Sequence, residues 1–99
     1  MSEIKEADLE RLGREAAEEV AGAQAVIHVR AEPDFDWTDK QIYRFYSVID
    51  RNLMPRYKPG EMRSRLGQNI RDRLLAKGDE TYPHMQIISP EEWQAHQGA

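Results

Sequence analysis

Apolar side chains along this chain switch repeatedly between helical spacing and strict alternation. The order of those switches limits the fold more than any other feature. Ile4, Leu9, Leu12, Ala16 and Val20 recur at helical spacing, and Gly22 stands where a helix would stop, so residues 3–21 are expected to form a helix. Residues 24–32 then alternate: Ile27, Val29 and Ala31 share one face, and His28 and Arg30 the other. Pro33 either ends this strand or marks it as a sheet edge. Met62, Leu66, Ile70 and Leu74 recur every four residues, and Lys77-Gly78 closes that pattern, which predicts a helix over 60–77. Residues 82–88 read as a last strand. Ser89-Pro90-Glu91-Glu92 supplies an N-cap serine, a first-turn proline and a capping-box glutamate for a short terminal helix, with Ile88 and Trp93 at the hydrophobic-staple positions.

Residues 41–50 fit two periods. Ile42, Phe45, Tyr46, Ile49 and Leu53 follow helical spacing, with Thr38 and Gln41 placed for a capping box. The same segment is dense in β-branched and aromatic residues, which favours a strand with Tyr43, Phe45, Ser47 and Ile49 on one face. A strand is expected, because a sheet of only two strands would be marginal in a domain of this size. Residues 34–39 are then a turn, and 52–60 a loop containing Pro55 and Pro59. The expected fold class is α+β, in the order α-β-β-α-β. It would have a small three-stranded mixed sheet, helices packed on one face and a short C-terminal helix, and the third strand would run parallel to the second.

Ninety-nine residues make one domain, with a thin core and residues 95–99 expected to fray. The chain has no cysteine, which removes disulfides and thiolate chemistry. The acidic N-terminus is unlike a signal peptide, and no apolar run approaches the length of a membrane span. These features fit a compact, bacterial-like cytoplasmic protein.

Charge is sorted by position. Residues 51–77 hold Arg51, Arg56, Lys58, Arg63, Arg65, Arg71, Arg73 and Lys77 against Glu61 and Asp72, net +6 in a chain whose overall charge is −4. A cationic region on an anionic body fits an acidic protein partner or nucleic acid, and self-association through a sheet edge or an apolar face is a further expectation. The arginines do not form one row on a helical wheel. Arg63 and Arg73 border the apolar stripe, while Arg65 and Arg71 point elsewhere. A phosphate-binding patch therefore depends on Arg51, Arg56 and Lys58 gathering near Arg63. The competing expectation is that the arginines pair with acids of the first helix. Tyr46 faces away from Tyr43 and Phe45 in the strand reading, and joins the basic residues as a candidate contact.

Other candidates for chemistry are poor. Asp34, Asp36 and Asp39 lack the glycine and distal glutamate of a calcium loop. His28 and His84 would be neighbours only if the first and third strands pair; with a carboxylate they could then bind zinc or serve a small enzyme. His96 lies near the end of the chain and is expected to take no part. Ser47, Ser64 and Ser89 lack a nucleophile elbow, and phosphate-loop and zinc-helix motifs are missing. No metal or cofactor is expected, and no catalytic residue is assigned.

The segment 35–89 resembles a group of small uncharacterised bacterial α+β proteins found in toxin–antitoxin-like gene pairs. The features that carry the resemblance are Phe35-Asp36, the strand from Ile42 to Asp50, the arginine-rich helix from Arg63 to Leu75, and Tyr82-Pro83 running into Ile87-Ile88-Ser89. Trp37-Thr38 departs from the glycine-containing turn usual there. The resemblance implies the fold and a partner-protein role, and supplies no catalytic residues. The element order is also similar to a type II KH domain, but this chain has no GxxG clamp. A non-enzymatic interaction module, as an accessory or antitoxin-like subunit, is therefore the leading expectation. RNA or DNA binding through 51–77 is the alternative.

Overall fold

The computed structural model describes residues 4–58 and 60–97, with the side chains of 96 and 97 excepted. Its elements are α1 (Glu6–Ala21), β1 (Val26–Phe35), β2 (Gln41–Ile49), a 3-10 turn (Arg51–Leu53), α2 (Glu61–Ala76), β3 (Tyr82–Ile88) and α3 (Pro90–Gln97). The order and the mixed three-stranded sheet are those expected from the sequence. Pro59, the side chain of His96, and residues 98 and 99 lie outside the described residues. Helix α3 spans Pro90–Gln97.

The sheet order is β1-β2-β3, with β2 antiparallel to β1 and parallel to β3. Residues 41–49 are thus the central strand, and tertiary pairing settles their two-period ambiguity. Tyr43, Phe45, Ser47 and Ile49 face the helices and are all buried. The parallel pair is joined through α2, the long crossover that parallel neighbours require.

Pro33 does not end β1, which runs on to Phe35. The proline sits opposite Tyr43 on an edge strand, where a missing N–H leaves no ladder bond broken. Ile27, placed by alternation on one face with Val29 and Ala31, is instead exposed while those two are buried, because the β1–β2 register shifts between Val26 and His28. Such a bulge lets Val26 and Val29 both point inward and turns the extra residue out.

The main core lies between the sheet and the helix pair. Leu9, Leu12, Ala16 and Val20 of α1 and Met62, Leu66, Ile70 and Leu74 of α2 pack with Val29, Ala31, Tyr43, Phe45 and Met85. Gly13 lets α1 close on the sheet, since a Cβ there would lie 2.8 Å from the Phe45 ring. Helix α2 ends as its sequence suggests. Gly78 has φ 78°, and the N–H groups of Gly78 and Asp79 donate to Leu75 and Leu74 carbonyls, a Schellman closure.

Helix α3 lies on the opposite face from α1 and α2. Its Trp93 ring stacks on His28 with centroids 4.8 Å apart, and His28 alternates with the core-facing residues of β1. Val48, on that same side, is fully buried. The capping box forms as expected: Ser89 Oγ accepts from Glu92 N–H at 3.2 Å, and Glu92 Oε1 accepts from Ser89 N–H at 3.3 Å.

Candidate functional site

The segment between β2 and α2 builds a concavity beyond the carboxyl ends of the parallel strands. Asp50 opens it by accepting from Asn52 N–H at 2.9 Å, which sets the 3-10 turn. Tyr57 then pins the loop. Its hydroxyl donates to the Val20 carbonyl at 2.7 Å, near the C-terminus of α1, where helical carbonyls lack intrahelical partners. Met54 and Tyr57 also pack on the core. The Lys58 N–H donates to Glu61 Oε1 at 3.0 Å and closes the loop onto the start of α2.

The resulting cavity, of about 610 Å³, is lined by Arg51, Met54, Pro55, Arg56, Tyr57, Lys58, Gly60, Met62, Arg63, Gln86 and Ile87. Four cationic side chains therefore meet over an apolar floor. None of the four has an ion-pair partner among the described residues, and the lining includes no carboxylate. Arg63 Nη2 donates to the Met85 carbonyl at 3.2 Å, which steadies one guanidinium at the rim. The gathering on which a basic patch depended is thus present for Arg51, Arg56, Lys58 and Arg63.

The other basic candidates are placed elsewhere. Arg73 reaches α1, with Nη1 3.2 Å from Glu15 and Nη2 2.7 Å from Glu19, while its Nε donates to Asn69. It ties the two helices together. Arg65 pairs with Glu61 at 3.0 Å and lies over the Tyr57 ring at 5.2 Å, so it props the loop from outside. Glu61 is held below the usual carboxylate range, first by the Lys58 N–H and also by Arg65. Arg71 and Lys77 are exposed and do not line the cavity.

Tyr46 is half-buried on the α3 side of the sheet, opposite Arg30 and Gln86. Tyr82, on the same face, pairs with Ile42 and so stands four positions away in register. The two rings do not form one platform. His28 and His84 are separated by β2, opposite Val48 and Arg44 respectively. No cluster of three or more metal-ligating side chains occurs among the described residues.

The aspartates of the hairpin serve the turn. Asp36 Oδ1 accepts from Thr38 N–H at 2.8 Å, Thr38 Oγ1 at 2.6 Å and Lys40 N–H at 3.0 Å. Asp39 takes the left-handed conformation, φ 63°, that a glycine would ordinarily fill. Asp34 accepts from Phe35 N–H and pairs with Arg44. The loop projects Trp37, which is 94% exposed.

Sequence reasoning found the cations of the cavity but not its floor. Met54, Pro55, Met62, Gln86 and Ile87 come from three separate stretches. The available signal was Leu53, Met54 and Tyr57, three large apolar side chains in a short loop between two elements. The chain matches no protein-family model, and neither curated proteins nor solved structures give a match. No helix among the described residues is long and apolar enough to cross a membrane.

Proposed function

We propose that this chain is a non-enzymatic interaction module whose receptor surface is the cationic cavity, and that it binds an acidic polypeptide segment. The observation that carries this reading is the convergence of Arg51, Arg56, Lys58 and Arg63 on one concavity with a largely apolar floor and no carboxylate among its described lining residues. Unpaired cations attract carboxylates and orient them, while Met54, Met62 and Ile87 offer an apolar partner something to cover. The loop is already anchored through Tyr57 and one guanidinium, Arg63, is held, while the exposed side chains of Arg51, Arg56 and Lys58 are ordered on docking. An accessory or antitoxin-like subunit is the version of this role that the resemblance over 35–89 suggests.

The nucleic-acid alternative is less well supported. Tyr57, the one aromatic among the described residues that line the cavity, is capped by Arg65 and tethered through its hydroxyl, and the aromatics of the α3 face are dispersed. Base stacking needs free rings on a shared surface.

Fluorescence anisotropy with a labelled acidic peptide carrying one tryptophan tests the reading against a labelled oligo-uridine. The peptide should bind, Arg56→Glu should weaken it by about tenfold or more, and its affinity should fall modestly with salt. Tighter binding of the RNA, with a steep logarithmic salt dependence, would replace this reading with the nucleic-acid one.

A further inference from the structure

The cationic cavity has a counterpart on the same molecule, and we propose that the β1–β2 hairpin tip of one copy docks into the cavity of another, with Trp37 as the anchor. This inference rests on the reading of the cavity as a receptor for acidic segments, and it names the segment.

The tip has the required chemistry. Trp37 is 94% and Phe35 60% exposed. A free molecule gains nothing from an indole in water, whereas exposed tryptophans recur as the anchors of interfaces. Asp34, Asp36 and Asp39 surround them; with Arg44 paired to Asp34 and Lys40 beside Asp36, the tip keeps a local net charge of −1. Hydrogen bonds from Thr38 and Lys40 hold the Asp36 carboxyl below its ordinary value, so the tip stays anionic at neutral pH. The same bonds make the loop rigid before it meets anything, which lowers the ordering cost of docking. The receiving cavity, about 610 Å³, is of small-molecule-pocket size and has room for an indole with its neighbouring side chains. Its guanidinium groups can cover an indole face while the neighbouring carboxylates take the remaining cations.

The geometry forbids docking within one molecule. The tip precedes β2 and the cavity follows it, so the length of the strand, on the order of 30 Å, separates them. Contact between copies therefore joins two different surfaces head to tail, and repetition gives an open chain or a closed ring. The interface is small, so the dissociation constant should be on the order of 100 μM.

Sedimentation equilibrium over a concentration series tests this on the full chain. Wild type should associate increasingly with concentration, and less so in high salt. Trp37→Ala and the double variant Arg56→Glu/Lys58→Glu should each remain monomeric. Both sets of side chains are exposed, and circular dichroism checks that the fold is kept. Mixing the two variants should form a finite 1:1 dimer, since one retains the cavity and the other the tip. A monomeric wild type throughout the series, association that survives Trp37→Ala, or no dimer on mixing would each overturn the proposal. The acidic peptide separates the levels. If it binds Trp37→Ala while wild type stays monomeric, self-docking fails and the receptor reading stands. If neither the peptide nor a second copy binds, both fail. Oligo-uridine binding by a monomeric wild type also overturns both.

Discussion

Two glycines in helices make opposite predictions for the same substitution. Alanine at either position should gain up to about 1 kcal/mol of helix propensity. At Gly13 the new methyl would press on the Phe45 ring at 2.8 Å and on Val29 at 3.1 Å, in the middle of the core. Overpacking of that kind costs about 1–3 kcal/mol, so Gly13→Ala should be destabilising overall. At Gly67 the clash is with the Met85 methyl at 2.9 Å, the free end of a flexible side chain. Gly67→Ala should therefore be neutral or stabilising, and urea denaturation of the two variants would show the difference in sign.

Tyr43 predicts a pH dependence. Burial, and then its hydrogen bond to Asp79, raise the phenol above its ordinary value of 10.0. Below about pH 10 the folded and unfolded states both keep the proton, and this group leaves stability unchanged. Above it the unfolded state loses the proton first, so stability falls as pH rises toward the folded value. Tyr43→Phe should remove that alkaline loss, at a cost near neutrality of about 1 kcal/mol for the missing hydrogen bond. Denaturant titrations at neutral and alkaline pH would measure both. Asp79 behaves in the opposite sense. Burial raises it, but hydrogen bonds from Thr81 and Tyr43 outweigh burial and leave it depressed. Its contribution is present above about pH 4 and disappears as pH falls through the folded value.

At the scale of elements, the basic residues divide into those that hold the fold and those that face outward. Arg73 joins α1 to α2 through partly exposed carboxylates, so Arg73→Ala should cost no more than about 1 kcal/mol. It should leave acidic-peptide binding unchanged. Arg56→Glu should do the reverse, losing binding with the melting midpoint preserved. Helix α3 stands apart from the main core, held by its capping box and the Trp93–His28 stack. Ser89→Ala removes a cap worth about 1 kcal/mol. Its effect should appear as faster hydrogen exchange confined to α3, with the exchange of β2 unchanged. Exchange spreading to β2 would mean that α3 is part of the global cooperative unit.

Over the whole molecule, element order was legible because periodicity is a local property. The i, i+4 stripe of α2, the Ser89–Glu92 cap and the Gly78 closure each lie within a few residues of sequence. The departures all involve neighbours far away in the chain. Ile27 is turned out by a register shift against β2, and β1 passes through Pro33 because its other edge is unpaired. His28 and His84 are parted by a strand order that alternation along either strand cannot reveal.

The candidate site follows the same division. The charge density of 51–77 and the turn at 34–39 were legible in the amino-acid sequence, whereas the exposure of Trp37 was not. Which cations meet was decided only when Tyr57 reached Val20, 37 residues earlier, and β3 brought Gln86 and Ile87 beside the loop. A helical wheel orders side chains around one axis, whereas a cavity is made by several segments at once. Local spacing therefore determined the elements and the sign of the surface. Long-range packing separated the arginine that braces two helices from the four basic side chains left facing a common space.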